Sequence, residues 1–268
     1  MIVSAGINDH QRDCKELNIV LFGERGVGKT TWINAFANYM KYSSLEEAKA
    51  NERLVLIPTS FKLSDRTLIT TKITVCDWSQ SAIQPGLNTF CLRCDDVIVR
   101  LIDTPGFLDT RGKELQANID NTLKYIAQFS RLHGICFLMK PNQDRLAVGY
   151  EYYFQKLSPL LRESCRNVIF CFTNSRNTLF VPGVTMSVLR GLISLTTLDI
   201  PLNLDNIYCV DNESIRYLYA TEAGVSCRED YPKLHKESWM RSSNEMERML
   251  KYVASLNPCK ISGKHFNK

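Results

Sequence analysis

No apolar run in this chain exceeds about eight residues, well short of the roughly twenty a membrane-spanning helix needs, so no transmembrane segment is expected. The N-terminus, MIVSAGINDHQRDCKEL, lacks a basic start followed by an apolar core, and no secretory leader is read there. That bears on the ten cysteines, which without export are expected to stay reduced. Cys136, Cys171 and Cys209 sit in apolar runs, where the thiol behaves as a small buried hydrophobe. Cys91 and Cys94 form a CLRC pair, but no second pair or histidine cluster accompanies them, which argues against zinc. Charge of one sign is also scarce. The net +5 comes from 33 basic and 28 acidic side chains, and only residues 260–268 are locally basic. No nucleic-acid partner is expected, while the tail leaves peripheral contact with an acidic lipid surface open. Internal repeats and low-complexity segments are missing too. What remains is a cytoplasmic globular protein whose 268 residues, 44% hydrophobic, suffice for one large domain with or without an appendage.

The strongest positive signal is Gly23-Glu-Arg-Gly-Val-Gly-Lys-Thr30, directly after the apolar run Leu17–Phe22. It fits the phosphate-loop pattern of Gly, four free positions, Gly-Lys and Ser or Thr. Glycines let the backbone wrap a phosphate with no Cβ in the way, so Gly23, Gly26 and Gly28 are placed where the chain must turn tightly. The N–H groups of Glu24, Arg25, Val27 and their neighbours then form an anion nest at the start of a helix. Lys29 supplies a full charge toward the β- and γ-phosphates, Thr30 a hydroxyl toward Mg²⁺, and Thr31 continues the same first turn. Trp32, Ile33, Phe36, Tyr39 and Met40 follow at helical spacing.

The remainder alternates strands with helices. Residues 1–15 read as a loose arm, 16–221 as the nucleotide-binding domain, and 222–268 as a helical extension with a basic tail. The stretch from Ser43 to Asn88 is poorly patterned, with short apolar pieces at 54–57 and 71–75, and is expected to hold a mobile loop. Residues 90–94 and 97–102 around Asp95-Asp96 form a hairpin. Helices are expected near 29–42, 112–132, 145–162, 184–196, 213–220 and 238–256, and strands at 134–139, 167–173 and 206–210. Such alternation predicts an α/β three-layer sandwich, a mostly parallel sheet with helices on both faces. Phosphate sites lie at the carboxyl ends of such strands, where both Gly23 and Asp103 fall.

Asp103-Thr104-Pro105-Gly106 is the second motif. A strand-terminal carboxylate opposite Thr30 can hold Mg²⁺ through a water, and the Gly106 N–H can bond a γ-phosphate and lose that bond when the phosphate leaves. Thr89 suits a switch threonine capping the metal, with Thr74, Ser79 and Ser81 competing in the same loop.

GERGVGKT together with LIDTPG resembles the translation-factor-related GTPases, and within them the septin and GIMAP (AIG-type) branch. INAFANYMKYSSLEEA, LHGICFLMKPNQDRL, NVIFCFTNSRNTLFVPG and YCVDNESIRYL are similar to a eukaryotic set of such proteins, over roughly 17–220. The resemblance implies a six-stranded sheet with one antiparallel strand, binding of Mg²⁺ with GTP or GDP, and a homodimer or oligomer formed across the nucleotide face.

Two departures stand out. The usual guanine-reading motif is Asn-Lys-x-Asp; here the strand ends in Thr173-Asn174-Ser175-Arg176, with a cation where the carboxylate belongs. Guanine stays the favoured base, with adenine the alternative. Asp211 and Asn212 are the substitute readers by similarity to that branch, unless they only cap the helix that follows. The second departure is Phe107, which stands where a water-orienting Gln is usual and can do no proton chemistry. Hydrolysis is therefore expected to be slow, with Lys29, Arg25 and Thr89 as the candidate catalytic groups. Arg25 has three possible roles, ranked here as crowding the attacking water, lying solvated beside Glu24 or Asp109, and acting as an arginine finger. A slow nucleotide switch, a GTP-dependent assembly module and an ATP-binding phosphate-loop protein are the functional readings.

Overall fold

The computed structural model describes residues 2–5, 15–64, 70–76, 86–94, 96–107, 113–161, 165–225 and 231–261. Its centre is a sheet in the order β1-β5-β6-β2-β8-β9-β10. These strands are β1 (Ile2–Ala5), β2 (Lys15–Gly23), β5 (Asn88–Cys94), β6 (Val97–Asp103), β8 (Gly134–Met139), β9 (Val168–Phe172) and β10 (Ile207–Cys209). From β6 to β10 the neighbours run parallel, and β5 pairs antiparallel with β6 in the expected hairpin. This is the expected α/β phosphate-loop sandwich, six strands with one antiparallel.

A seventh strand corrects the reading of residues 1–15 as a loose arm. Ile2–Ala5 lies parallel to β5, Ile2 against Thr89 through Ala5 against Leu92. An edge strand offers a row of unpaired backbone groups, and a short β-branched, apolar segment is suited to cover them. Lys15 already belongs to β2.

The alternation of β2 divides the core. Leu17, Ile19 and Leu21 point to one face, beneath α1 (Lys29–Lys41), α2 (Leu45–Ala50), α6 (Glu213–Glu222) and α7 (Tyr231–Ser255). Val20 and Phe22 point to the other, beneath α3 (Lys113–Ile126), α4 (Val148–Leu161) and α5 (Thr185–Ser194). β2 is buried on both faces, as the centre of a covered parallel sheet must be.

Two stretches differ from expectation. The segment from Ser43 onward is not patternless. α2 is opened by a capping box in which Ser44 Oγ accepts from Glu47 N at 3.1 Å while Ser43 N and Oγ donate to Glu47 Oε2. A hairpin follows, β3 (Ser60–Ser64) with β4 (Thr70–Thr74). The last helix also begins earlier than expected, at Tyr231, because Pro232 in a first turn gives up an N–H that has no helical partner there. α7 is no appendage: Trp239, Met246, Met249 and Val253 are buried in the same core as α1. At the far end of the chain β11 (Cys259–Lys260) pairs with β7 (Arg131–Leu132).

Candidate functional site

The carboxyl ends of β2 and β6 open on a cleft of about 620 Å³. Glu24, Arg25, Gly26, Gly28, Lys29, Thr30 and Thr31 line it from the phosphate loop, and Asp103 and Gly106 from the end of β6. The loop has the conformation its glycines allow. Gly26 and Gly28 have φ of 81° and 101°, a left-handed backbone in which a side chain would be strained, and Gly28 is the N-cap of α1. Gly23 is buried under the loop, and Lys29 Nζ reaches back to donate to its carbonyl at 3.3 Å.

Electrostatically, this is a site waiting for charge. Burial pushes the Lys29 ammonium below its ordinary pKa, and Asp103 and Glu24 resist the shift. Burial raises Asp103 to about 6, while Lys29 and the Thr104 N–H pull it back down. Asp103 Oδ1 is buried with no hydrogen-bond partner. A hard cation takes oxygen donors of this kind, so the Thr30 hydroxyl and the orphaned Asp103 oxygen fit Mg²⁺.

The segment after Asp103 is stitched onto the phosphate loop. Thr104 Oγ1 donates to Leu21 O at 2.7 Å, Arg25 N to Phe107 O at 2.8 Å, and Phe107 N to Gly23 O at 3.3 Å. Glu24 and Phe107 thus form an isolated parallel bridge. Gly106 is required in between: a Cβ there would stand 3.0 Å from Arg25 Cα and 3.1 Å from Lys29 Nζ. The Phe107 ring points away from the cleft into the core, edge-on to Tyr150 at 4.7 Å and 5.5 Å from Tyr153.

Thr89 is not where a metal ligand belongs. It is 1% exposed, its hydroxyl lies 3.0 Å from the Tyr125 hydroxyl on α3, and it does not line the cleft; its neighbour Asn88 does. Successive residues of a strand face opposite ways, which puts Asn88 toward the cleft and Thr89 on the other side of the sheet. Among its competitors, Thr74 pairs with Ser60 in the hairpin, and Ser79 and Ser81 lie outside the described residues. Glu24 is engaged by Lys140 at 3.6 Å and Gln143 at 3.4 Å rather than by Arg25, which is exposed at the mouth of the cleft. Asp109 lies outside the described residues.

At the end of β9, Thr173 Oγ1 donates to Val27 O at 2.7 Å and clamps the strand to the phosphate loop. Asn174 follows, exposed and left-handed with φ of 55°. The expected readers are both spent. Asp211 is 1% exposed; its carboxylate accepts from Arg176 Nε at 2.7 Å and from Ser238 Oγ at 2.8 Å, and its backbone N–H donates to Ser242 Oγ at 2.9 Å. Asn212 is 4% exposed, accepts from the Tyr39 hydroxyl at 3.3 Å, and makes no side-chain capping bond to α6. Both side chains are thus engaged within the protein, and Asn212 holds the N-cap position of α6 by its backbone alone.

Sequence reasoning missed a second clamp. Asn34 on α1, fully buried, accepts from the N–H groups of both Leu56 and Ile57 at 2.9 Å and donates to Ile57 O at 2.9 Å. One turn on, Asn38 does the same for Leu54, accepting at 3.0 Å and donating at 2.7 Å. The segment carrying Ile57, a wall of the phosphate cleft, is thereby fixed to the helix that carries Lys29. Asn residues four apart inside an apolar helix were the available signal.

No family model and no curated protein matches the chain. Among solved structures it is similar to Toc33 from Arabidopsis thaliana in complex with GDP and Mg²⁺, with a TM-score of 0.52 and 11% identity over 93% of this chain and 89% of that one. It is similar also to a structure described under the finding that dimerization is important for the GTPase activity of the chloroplast translocon components atToc33 and psToc159, with a TM-score of 0.53 and 11% identity over 93% of this chain and 87% of that one. At that identity the likeness shows the fold alone, the α/β phosphate-loop sandwich described above.

Proposed function

We propose that the chain is an Mg²⁺-dependent guanine-nucleotide-binding protein that hydrolyses GTP slowly and acts as a nucleotide switch of the GIMAP or septin type. The observation that carries this is the convergence of Lys29, Thr30 and the orphaned Asp103 oxygen on one cleft roofed by Gly106. Thr30 and Asp103 would hold the metal, which when bound neutralises charge building on the β- and γ-phosphates. Lys29 and the loop N–H groups would bind the phosphates. Gly106, tied by its neighbours to Arg25 and Gly23, would report whether a γ-phosphate is present. Hydrolysis breaks the bond between the γ-phosphorus and the bridging oxygen while water supplies the new oxygen. With Phe107 turned into the core, no side chain at that position can orient the water. Calorimetric titration with a non-hydrolysable GTP analogue tests the reading: micromolar binding lost in Lys29→Ala supports it, and unchanged affinity in that variant overturns it.

A second reading has its own support. Leu179, Val181 and Val184, on the segment between β9 and α5, are 85%, 51% and 54% exposed, an apolar patch suited to contact with another chain. A GTP-dependent assembly module would use it, and dimerization is important for the GTPase activity of atToc33, a protein of similar fold. Turnover per molecule that rises with protein concentration favours assembly; a constant value favours the monomeric switch.

A further inference from the structure

The lining of the phosphate cleft is not, by its own charges, an anion trap. Among the described residues, Arg25 and Lys29 stand against Glu24 and Asp103, and the four cancel. Glu24 is the odd member, the one carboxylate within the loop Gly23–Thr30, with a side chain only 16% exposed. A fixed negative charge beside a polyphosphate opposes binding, and more strongly where water is thin. The answer to it comes from outside the cleft. β2 and β8 run parallel with Gly23 against Leu138, so the residues that follow leave the sheet side by side. Lys140 thereby brings Nζ to 3.6 Å from Glu24 Oε1, and Gln143 Nε2 donates to the same oxygen at 3.4 Å. The turn that carries both is locked to the start of α5. Thr185, fully buried, accepts from Gln143 N at 2.7 Å and donates to Lys140 O at 3.0 Å. Asn142 N donates to Pro182 O at 3.3 Å, and its Oδ1 accepts from Val184 N at 3.3 Å. Gly183 is required between them, since a Cβ there would fall 1.8 Å from Asn142 Oδ1.

We infer that Lys140 is a positioning residue for the nucleotide phosphates, acting through Glu24: it cancels the carboxylate built into the phosphate loop and so keeps the nest open to anions. This deepens the reading of the cleft as a nucleotide site and rests on it. The pair serves charge rather than fold. A partly exposed ion pair adds little to stability, so losing Lys140 should leave the chain folded with a bare carboxylate beside the phosphates. A lysine on a loose turn would screen Glu24 only part of the time. Here the Thr185 and Asn142 bonds fix the backbone that presents the ammonium. Uncovering one charge a few ångströms from another moves an equilibrium by about tenfold or more. The effect should shrink as salt rises, because charges at an open cleft are screened over roughly 8–10 Å.

Calorimetric titration of the full chain with a non-hydrolysable GTP analogue and Mg²⁺, at low and high salt, tests this on four proteins: wild type, Lys140→Gln, Glu24→Gln and the double variant. Affinity should follow the charge left beside the phosphates. Lys140→Gln should bind about tenfold more weakly than wild type at low salt, and less so at high salt. Glu24→Gln, which leaves Lys140 uncancelled, should bind more tightly than wild type. The double variant should return to within about threefold of wild type. Thermal melting of each shows that it is folded, and Lys140→Arg, which keeps the charge, should bind like wild type even if Lys140→Gln does not fold. A pair that merely shaped the loop would make both single variants weak and leave the double no better, and that result overturns the inference. So does wild-type affinity in Lys140→Gln, or a tenfold loss in Lys140→Arg. A wild-type chain that binds no nucleotide at all would instead remove the reading of the cleft itself, and this inference with it.

Discussion

Gly149→Ala isolates the contact that keeps Phe107 out of the phosphate cleft. Gly149 lies in the first turn of α4, and a Cβ there would fall 2.3 Å from Phe107 Cδ2, 2.5 Å from Cγ and 2.9 Å from Cε2. The ring cannot yield cheaply, since it is 5% exposed, wedged against Tyr150 and Tyr153, and its backbone is bonded on both sides to the phosphate loop. Overpacking of this kind costs about 1–3 kcal/mol. Replacing a helical Gly by Ala returns roughly 0.5–1 kcal/mol. The net expectation is a loss of up to about 2.5 kcal/mol in urea unfolding, with the displaced Phe107 loosening the loop and weakening nucleotide binding. Gly191 is the control: it too is in a helix, α5, and a Cβ there meets nothing within 4 Å, so Gly191→Ala should stabilise. Phe107→Leu should partly relieve Gly149→Ala, and a double-mutant cycle should show coupling above about 0.5 kcal/mol. Gly149→Ala as stabilising as Gly191→Ala, or a cycle with no coupling, would refute the packing argument.

Other outcomes follow from the same geometry. Asn34→Ala leaves three buried backbone groups of Leu56 and Ile57 unpaired and should cost at least about 2 kcal/mol, with amide exchange at those two residues accelerating in step. His235, stacked on Tyr217 at 4.4 Å, is pushed down to about 4 by burial and by the positive charges of Arg176 and Lys49. A lowered pKa means its contribution is whole above about 6.5 and is lost as pH falls toward 4, up to about 3 kcal/mol; denaturant titrations of wild type and His235→Phe should diverge across that window. Arg25→Gly should speed single-turnover GTP hydrolysis if the exposed guanidinium crowds the attacking water, and a hundredfold drop with intact affinity would show instead that it acts as a finger in cis, whose worth is roughly 10³–10⁵.

What could be read from the chain, and what could not, divides along the range of the forces involved. The phosphate loop, the end of β6 and the central strands were legible because each rests on local chemistry: left-handed glycines, a run of apolar residues, a carboxylate at a strand end. α2 was equally legible in Ser44-Leu-Glu-Glu47, a capping box hidden by the polarity around it. The edge strand Ile2–Ala5 was not, since four residues gain a strand conformation only from the unpaired edge of β5.

The errors at the site are of two kinds. Thr89 was misplaced by one residue on a strand, and one residue is a change of face: Phe90 and Leu92 pack under α1, so Asn88 on their side lines the cleft, and Thr89 and Cys91 cannot. That was recoverable from the alternation alone. The roles of Asp211 and Arg176 were not recoverable. Ser238 and Ser242, one turn apart on α7, take the backbone and carboxylate of Asp211, and nothing in the intervening chain announces that α7 returns to the base loops. Once it does, the logic is forced. A carboxylate buried to 1% exposure needs a cation and hydroxyls around it, and Arg176 and the two serines are what the fold brings. The helix that looked like an extension therefore holds the Asp211–Arg176 pair in place, and removing it would expose Asp211 before it touched Lys29 or Asp103.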